Sequence, residues 1–389
     1  MTTTSTVPKV GSTQGMNPLK ALLAYGQSPW MDYIRRDLLT SGGLKKMIDE
    51  DGLRGMTSNP TIFEKAITGS KFYADILEAP DAKQLGAGGV YEKIAIRDVR
   101  DATDIFKPVY DETKRRDGYV SLEVSPLLAD DTKATIEEAR RLWKTVNREN
   151  LMVKVPATPA GIPAIRQLLE DGLNINITLL FAQSAYEQVA EAYLAALEAR
   201  VKKGQDINHI ASVASFFVSR IDSMIDGMIE AKLKTERDPK KKELLTSIEG
   251  KVAIANAKST YKKYQELFGG ARWKALAAKG AQTQRLLWAS TSTKNPKYRD
   301  VLYVEELIGA DTVDTIPPAT FDAFRNHGKV RNSLTENVEE AARTMANLEK
   351  AGISMKEVTE KLVVDGVKLF ADAFHSLLEA TGKTAGVHA

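Results

Sequence analysis

The chain has 389 residues, enough for two or three ordinary domains or for one α/β barrel with insertions. Hydrophobic residues make up 43% and charged residues 27% of the chain, a folded-protein composition that excludes disorder for its bulk. The 54 Lys and Arg nearly balance the 51 Asp and Glu, and the net charge of +3 gives no reason to expect a nucleic-acid partner.

The absence of cysteine restricts the possible chemistry. It excludes disulfides, thiolate nucleophiles and Cys-ligated metals, and the 4 scattered histidines leave little for a His-based metal site. We therefore expect no metal and no cofactor, and reactions carried by Lys, carboxylates, hydroxyls, Asn or Arg. No apolar run approaches the ~18 residues of a membrane span, and no signal-peptide pattern occurs, so we expect a cytoplasmic protein without a membrane partner.

Short β-branched runs alternate with longer amphipathic stretches along most of the chain. Residues 1–19 are rich in Thr, Ser, Gly and Pro and are expected to form a flexible arm, followed by one domain over 20–389. The alternation is typical of parallel βα units, and eight strand candidates match the number that closes a (β/α)8 TIM barrel. The candidate strands are Gln27–Met31, Leu53–Ser58, Gly118–Val124, Leu151–Val155, Ile175–Leu179, Ile210–Ser215, Arg285–Ala289 and Thr312–Ile316.

Additional helices are expected outside the repeating units. A helical insertion is predicted at about 235–280, with a charged loop at 235–242 followed by one long helix over 243–267. Two C-terminal helices, within about 334–381, carry apolar residues at spacings of three and four and should pack on the barrel. The glycine-rich segment 86–89 follows no strand and is interpreted as a turn, a weak candidate for phosphate binding.

Polar residues alternate with apolar ones near the ends of three candidate strands. Because successive side chains of a strand point to opposite sides, the apolar set should pack on helices while Glu123, Lys154, Asn176 and Thr178 point into the barrel. Barrel enzymes keep their active sites at the carboxyl ends of the strands. These four side chains are therefore predicted to converge at that end of the barrel.

Lys154 is the strongest candidate for a catalytic group. Its ammonium, flanked by Met152, Val153 and Val155, is costly to desolvate, which favours the neutral amine that attacks ketone carbonyls to form a Schiff base. The competing interpretation is a lysine that reaches solvent or pairs with a carboxylate such as Glu123.

Three further segments have two interpretations each. Asn59, before Pro60, either caps a helix or hydrogen-bonds a sugar hydroxyl. Arg220 and the hydroxyl-rich segment 289–296 with Lys294 are either anion sites or solvated surface.

Several of these segments together resemble the transaldolase family, in particular its longer bacterial subgroup. TSNPTIF and VKVPATPAGIPAI look like its two signatures, and NINITLLF, SFFVSRID and LWASTSTKNPKYRD look like three further blocks, so the resemblance runs from about residue 27 to the C-terminal helices. It implies transfer of a dihydroxyacetone unit from sedoheptulose 7-phosphate or fructose 6-phosphate to an aldose phosphate, glyceraldehyde 3-phosphate or erythrose 4-phosphate. This is carbohydrate metabolism in the non-oxidative pentose phosphate pathway.

The resemblance also implies roles for individual residues. Lys154 would form the Schiff base, Asp32 would take the proton of the donor C4 hydroxyl, and Glu123 would move protons through a water held with Thr178. Asn59 and Asn176 would bind hydroxyls of the three-carbon unit, whereas Ser215 and Arg220 would bind the rest of the donor and its phosphate.

One departure concerns the phosphate site, where shorter transaldolases carry a Ser-aromatic-Arg sequence. This chain has Ser290-Thr291-Ser292, which leaves Lys294 or the hydroxyls to replace the arginine.

Two other functions stay open, a fructose-6-phosphate aldolase that releases free dihydroxyacetone and a catalytically idle barrel that binds partners. The sequence leaves the choice between a monomer and a homodimer open.

Overall fold

A closed barrel of eight parallel strands forms the centre of the protein, as a computed structural model describes it for residues 15, 17–68 and 70–387. Each strand pairs with the next along the chain, and the first pairs with the last. The predicted (β/α)8 barrel is thereby confirmed. The strands are β1 (Gln27–Asp32), β2 (Gly55–Thr57), β3 (Tyr119–Glu123), β4 (Leu151–Pro156), β5 (Ile175–Leu180), β6 (Ser212–Phe217), β7 (Arg285–Ala289) and β8 (Thr312–Ile316).

Helices surround this barrel on its outer side and extend past it at the C-terminus. Short 3₁₀ turns cover Leu22–Tyr25, Pro126–Leu128 and Ser333–Thr335. The α-helices of the described residues are α1 (Pro18–Ala21), α2 (Arg36–Thr40), α3 (Gly43–Asp51), α4 (Pro60–Ile67), α5 (Ala74–Leu77), α6 (Ala82–Glu112), α7 (Thr132–Val146), α8 (Gly161–Asp171), α9 (Gln183–Lys202), α10 (Ser219–Thr235), α11 (Pro239–Ile248), α12 (Val252–Leu267), α13 (Ala271–Ala277), α14 (Leu302–Glu306), α15 (Pro318–His327), α16 (Val338–Lys350) and α17 (Met355–Ala385).

The predicted arm falls largely on residues 1–14 and 16, which lie outside the described residues. Helix α1 begins at Pro18, where the side chain of Asn17 accepts a hydrogen bond from the backbone of Leu19. The last two residues assigned to the arm are therefore part of a capped helix.

The alternation of the strands positions the polar residues as expected. Val120 and Leu122 lie in the hydrophobic core and are at most 2% exposed, while Ser121 on the opposite side of β3 bonds to Asn176 of β5 inside the barrel. Opposite sides of a strand thus meet different environments, the helical layer and the barrel interior. This interior carries the polar residues to the carboxyl ends of the strands.

Packed side chains fill the barrel interior toward the amino ends of the strands. Trp30 packs against β2, where a Cβ on Gly55 would lie 2.4 Å from the indole ring. Its Nε1 donates to Asp117, which also forms a buried ion pair of 2.8 Å with Arg285. Packed side chains at this end make the barrel a core rather than a pore.

The helical insertion differs from its predicted outline in two places. The single helix predicted over 243–267 is two helices, because Gly250 takes a left-handed conformation with φ of 68°. The predicted loop over 235–242 is correspondingly shorter, since the Asp238 side chain caps α11 and Pro239 begins it. Proline fits the first helical turn, where its missing N–H has no partner to lose.

The glycine-rich segment 86–89 is not the predicted turn between elements. It lies within α6, a helix that the sequence analysis did not identify, and only Gly86 departs from helical geometry there, with φ of 64° and ψ of 177°. Gly88 and Gly89 continue the helix on the far side of this break. The segment therefore bends a helix.

Of the two C-terminal helices, α17 packs on the barrel as predicted, whereas α16 packs on the helical insertion. Helix α17 contacts α4, α6 and β5, and α16 contacts α12 of the insertion. At the contact with β5, a Cβ on Gly366 would come within 2.8 Å of Leu179, so this glycine permits a close approach. Across the described part of the chain, no helix is long and apolar enough to cross a membrane.

Candidate active site

A cavity of about 570 Å³ opens at the carboxyl ends of the strands and is called the mouth cavity here. Its volume suits a small organic substrate. Eight of the ten predicted site residues line it, from seven different elements or the loops that follow them. These are Asp32, Asn59, Lys154, Thr178, Ser215, Arg220, Ser290 and Lys294.

Lys154 lies on β4 with its amine almost enclosed. Its side chain is 7% exposed, and Nζ lies 3.4 Å from Oε2 of Glu123 and 3.3 Å from the backbone oxygen of Ser58. The ring of Phe370 on α17 covers another side of the amine, with its centroid 5.6 Å from Nζ. The amine therefore has a carboxylate partner and an aromatic wall, and it faces the mouth cavity.

Two carboxyl groups flank this lysine. Burial raises the pKa of Glu123, and the nearby Lys154 lowers it by less. Burial also raises the pKa of Asp32, against the opposing effects of Lys154 and of a 2.7 Å hydrogen bond from Thr57 Oγ1. Buried carboxyl groups with raised pKa values are candidates for general acid and base catalysis.

Inside the barrel, three polar side chains from β3, β5 and β6 form a chain of hydrogen bonds. Ser215 Oγ donates to Asn176 Oδ1 at 2.6 Å, and Asn176 Nδ2 donates to Ser121 Oγ at 3.0 Å. Ser215 lines the mouth cavity, whereas Asn176 does not. The structure therefore places Asn176 beneath the cavity wall, with its amide held by protein partners.

Thr178 differs from these neighbours. Its Oγ1 is buried and has no hydrogen-bond partner within the described residues, and the residue lines the mouth cavity. An unsatisfied buried hydroxyl costs free energy unless a ligand or a water completes it. Thr178 can therefore hold a water or a substrate oxygen in the cavity.

Asn59 combines both roles considered for it. Its Oδ1 accepts a 3.1 Å hydrogen bond from the backbone N–H of Ile62 and so caps α4. Asn59 also lines the mouth cavity, and its Nδ2 has no acceptor among the described residues. The cap leaves the amide hydrogens available to a ligand.

Arg220 and Lys294 form the cationic side of the mouth cavity. Burial lowers the pKa of both, and their mutual repulsion lowers that of Lys294 further. Neither forms an ion pair with a described carboxylate, and Lys294 Nζ donates to Ser292 Oγ at 2.6 Å. Ser290, with φ of 57°, shares a 2.9 Å hydrogen bond with Ser219. Two cations without a carboxylate partner suit an anionic ligand.

Sequence reasoning missed several residues of the site. Thr57 binds Asp32, Ser58 accepts from Lys154 through its backbone, and Lys65 adds a third cation to the mouth cavity. Thr57 follows the same alternation of polar and apolar residues as the predicted residues, so the sequence pattern could have identified it. Phe370 belonged to an apolar stripe interpreted as core, and nothing in its spacing distinguishes a cavity wall from a core position.

The described residues contain no group of three or more His, Cys, Asp or Glu placed to hold a metal ion.

Comparison with known proteins gives a consistent result. The family model described as Transaldolase/Fructose-6-phosphate aldolase matches residues 29–381. A protein of Trichodesmium erythraeum named transaldolase is 50% identical, covering 94% of this chain and 96% of that protein. Transaldolase 2 of Nostoc punctiforme is 48% identical, with the same two coverages. A transaldolase of Thiobacillus denitrificans is 43% identical, covering 94% of this chain and all of that protein.

Proposed function

Because the chain belongs to the transaldolase/fructose-6-phosphate aldolase family, we propose that it is a transaldolase that transfers a dihydroxyacetone unit between sugar phosphates through a Schiff base on Lys154. The observation that carries the proposal is the buried Lys154 amine on the wall of the mouth cavity, 3.4 Å from the Glu123 carboxylate.

Schiff-base formation requires a proton donor beside the amine. The neutral Lys154 amine adds to the donor's C2 carbonyl, and the resulting carbinolamine loses its hydroxyl as water with a proton from Glu123. Glu123 is left as a carboxylate beside the new iminium cation. In hydrolysis, a water adds to the iminium and Glu123 takes the proton back. Burial raises the pKa of Glu123, and this direction supports a role as the proton donor in that step.

Carbon–carbon cleavage requires a base at the other end of the reacting bond. The Asp32 carboxylate takes the proton of the C4 hydroxyl, the bond between C3 and C4 breaks, and its electron pair moves toward the iminium nitrogen. An aldehyde leaves and an enamine stays on Lys154. Thr57 holds the Asp32 carboxyl in place through its 2.7 Å hydrogen bond.

The substrate is held by polar groups on both sides of the lysine. Asn59 and Thr178 bind oxygens of the three-carbon unit or of the water, and Ser215 lies beside them. Arg220 and Lys294 bind the phosphate, with Ser290 close by. Asn176 acts by positioning Ser215, to which it is hydrogen-bonded, rather than by direct contact.

A trapping experiment tests the proposed Schiff base. Borohydride with fructose 6-phosphate should give a stable adduct on the wild type and none on Lys154→Ala. Lys258→Ala is the matched control, because Lys258 is 4% exposed and its Nζ donates to a backbone oxygen of Glu336, outside the site. Absence of the adduct on the wild type would refute the proposal and favour a barrel without catalytic activity.

A competition experiment separates transfer from simple cleavage. With fructose 6-phosphate alone, a transaldolase should release little free dihydroxyacetone, and added erythrose 4-phosphate should yield sedoheptulose 7-phosphate instead. Equal release of dihydroxyacetone with and without the acceptor would identify a fructose-6-phosphate aldolase.

The proposed reaction belongs to the non-oxidative pentose phosphate pathway. Its substrates carry charged phosphates, which do not cross a lipid bilayer unaided. The enzyme should therefore work in the compartment where these metabolites are made, which we expect to be the cytoplasm.

A further inference from the structure

A second cavity of about 190 Å³, called the rear cavity here, lies on the other side of Glu123 from the mouth cavity. Glu123 lines the rear cavity, its partner Lys154 lines the mouth cavity, and Asn59 lines both. The Glu123–Lys154 pair therefore stands between the two spaces.

The rear cavity has polar groups along its length. Ser58 and Ser125 join Glu123 at the inner end, and Glu92 and Glu138 lie at the outer end. The outer carboxylates bind Arg141, whose side chain is 45% exposed, so this end reaches the protein surface. A water needs a cavity of roughly 10–15 Å³ and two to four polar partners, so the rear cavity can hold a file of waters.

Tyr91 connects the two ends. It lines the rear cavity, and its ring contacts Phe63 and Phe374 edge-on at 5.6 Å and 5.9 Å. Burial raises the pKa of Tyr91, and the inner carboxyl Glu123 and the outer carboxyls Glu92 and Glu138 all add to this effect. The Tyr91 hydroxyl accordingly stays protonated and can donate to a water on the path between them.

Gly88 lies at the outer end of the rear cavity and is exposed. A Cβ at this position would meet no atom within 4 Å, so packing does not require a glycine. Glycine is nevertheless less favourable than alanine in a helix by up to about 1 kcal/mol. A larger side chain at Gly88 has room to extend at the outer end of the rear cavity, so this position can be used to test whether that end serves as an opening.

We propose that the rear cavity is the path by which the water of Schiff-base chemistry leaves and returns while the donor fills the mouth cavity. This inference rests on the proposed function. Iminium formation releases one water beside Glu123, and hydrolysis of the iminium consumes one there. The carbon chain and phosphate of the donor occupy the mouth cavity between these steps, whereas the rear cavity reaches Glu123 from the opposite side.

An isotope experiment tests this path. Fructose 6-phosphate carrying oxygen-18 at C2 is incubated in ordinary water with the Asp32→Asn enzyme, which under the proposed function forms the iminium but does not cleave the chain. The donor then stays in the mouth cavity. Hydrolysis with an exchanged water removes the label from the recovered ketose, and hydrolysis with the original water retains it.

The decisive comparison adds Gly88→Leu to this enzyme, which places a side chain across the outer end. We expect label loss per trapped iminium to fall about tenfold, since a buried water escapes only where the packing lets it pass. Gly88→Ala is the matched control, because it adds a Cβ in open space without spanning the opening, and it should exchange like the parent. Tyr91→Phe, which keeps the ring and removes the hydroxyl, should also slow exchange.

The outcomes separate the two proposals. Unchanged label loss in both Gly88→Leu and Tyr91→Phe, with normal borohydride trapping, would refute the rear path and leave the transaldolase proposal intact. Absence of a trapped adduct in the parent enzyme would refute the proposed function and this inference with it. Slower label loss with an unchanged thermal unfolding temperature would support the path.

Discussion

Glu123 illustrates how burial and charge compete within a single residue. Its side chain is 6% exposed, so desolvation favours the neutral carboxylic acid, while the Lys154 ammonium at 3.4 Å favours the carboxylate. The desolvation effect is the larger, and the pKa is raised. A carboxyl group on which these two effects oppose each other suits proton transfer to the groups that react at Lys154.

Glu123→Gln tests this role. The amide keeps the size of the side chain but cannot give or take the proton, so we expect turnover to fall by about 10² or more, the usual loss for a proton-transfer group. Steady-state kinetics measure the effect, and thermal unfolding should show an intact fold. Wild-type turnover in this variant would remove Glu123 from the mechanism.

The individual site residues on strands were predicted from the two-residue repeat of strand side chains. Lys154, Glu123 and Thr178 were predicted because polar residues stand out at inward positions of apolar strands. The repeat does not reveal how deep a residue lies: Asn176, predicted to bind a substrate hydroxyl, does not line the mouth cavity and is bonded to Ser121 and Ser215. Its contact with substrate stays a prediction. Depth depends on the stagger of neighbouring strands, which no single strand encodes.

The C-terminal helix α17 shows what elements add to the site. It lies against α4, α6 and β5 and brings Phe370 to the mouth cavity, more than two hundred residues from Lys154 in sequence. The apolar stripe of this helix predicted that it packs on the barrel, but it did not predict which elements or which cavity it contacts. Neighbouring positions on the helix accordingly have different surroundings, as Leu369 is 49% exposed.

Phe370→Ala tests the contribution of this helix. The Phe370 ring lies 5.6 Å from Lys154 Nζ and would face the iminium cation that forms there. A cation–π contact is worth about 0.5–2 kcal/mol, so kcat/KM should fall by roughly 2- to 30-fold. Leu369→Ala, the adjacent exposed position, is the control and should keep wild-type kinetics. Equal kinetics of the two variants would exclude an effect of the ring.

At the scale of the whole molecule, barrel closure buries polar groups outside the site as well. Asp314 of β8 is fully buried, and its side chain has one hydrogen bond among the described residues, a 3.0 Å bond from Thr291, just beyond the end of β7. Burial raises the pKa of Asp314 to about 8, against the smaller opposing effect of Thr291. The folded protein thus keeps a proton on Asp314 that the unfolded chain loses near pH 3.8, the ordinary pKa of an aspartic acid.

Stability should therefore fall as pH rises between these two values. The native state binds more protons than the unfolded state across this window, and the free energy of unfolding then decreases by about 1.4 kcal/mol per pH unit for one group. Asp314→Asn keeps the acceptor for Thr291 and removes the titration. Thermal unfolding of both proteins from acid to mildly alkaline pH should show the steeper decline in the wild type, and parallel curves would contradict the assignment.

Hydrophobic alternation and turn residues act over a few positions. Local sequence therefore predicts the eight strands, their order and, for β3, β4 and β5, the side that faces inward. Which helices and side chains cover those strands depends on tertiary packing. The break at Gly250, the bend of α6 at Gly86 and the position of Phe370 depend on contacts between distant segments, where packing outweighs local preference. The same contacts set the distance between Lys154 and Glu123, and so the electrostatics on which the proposed chemistry depends.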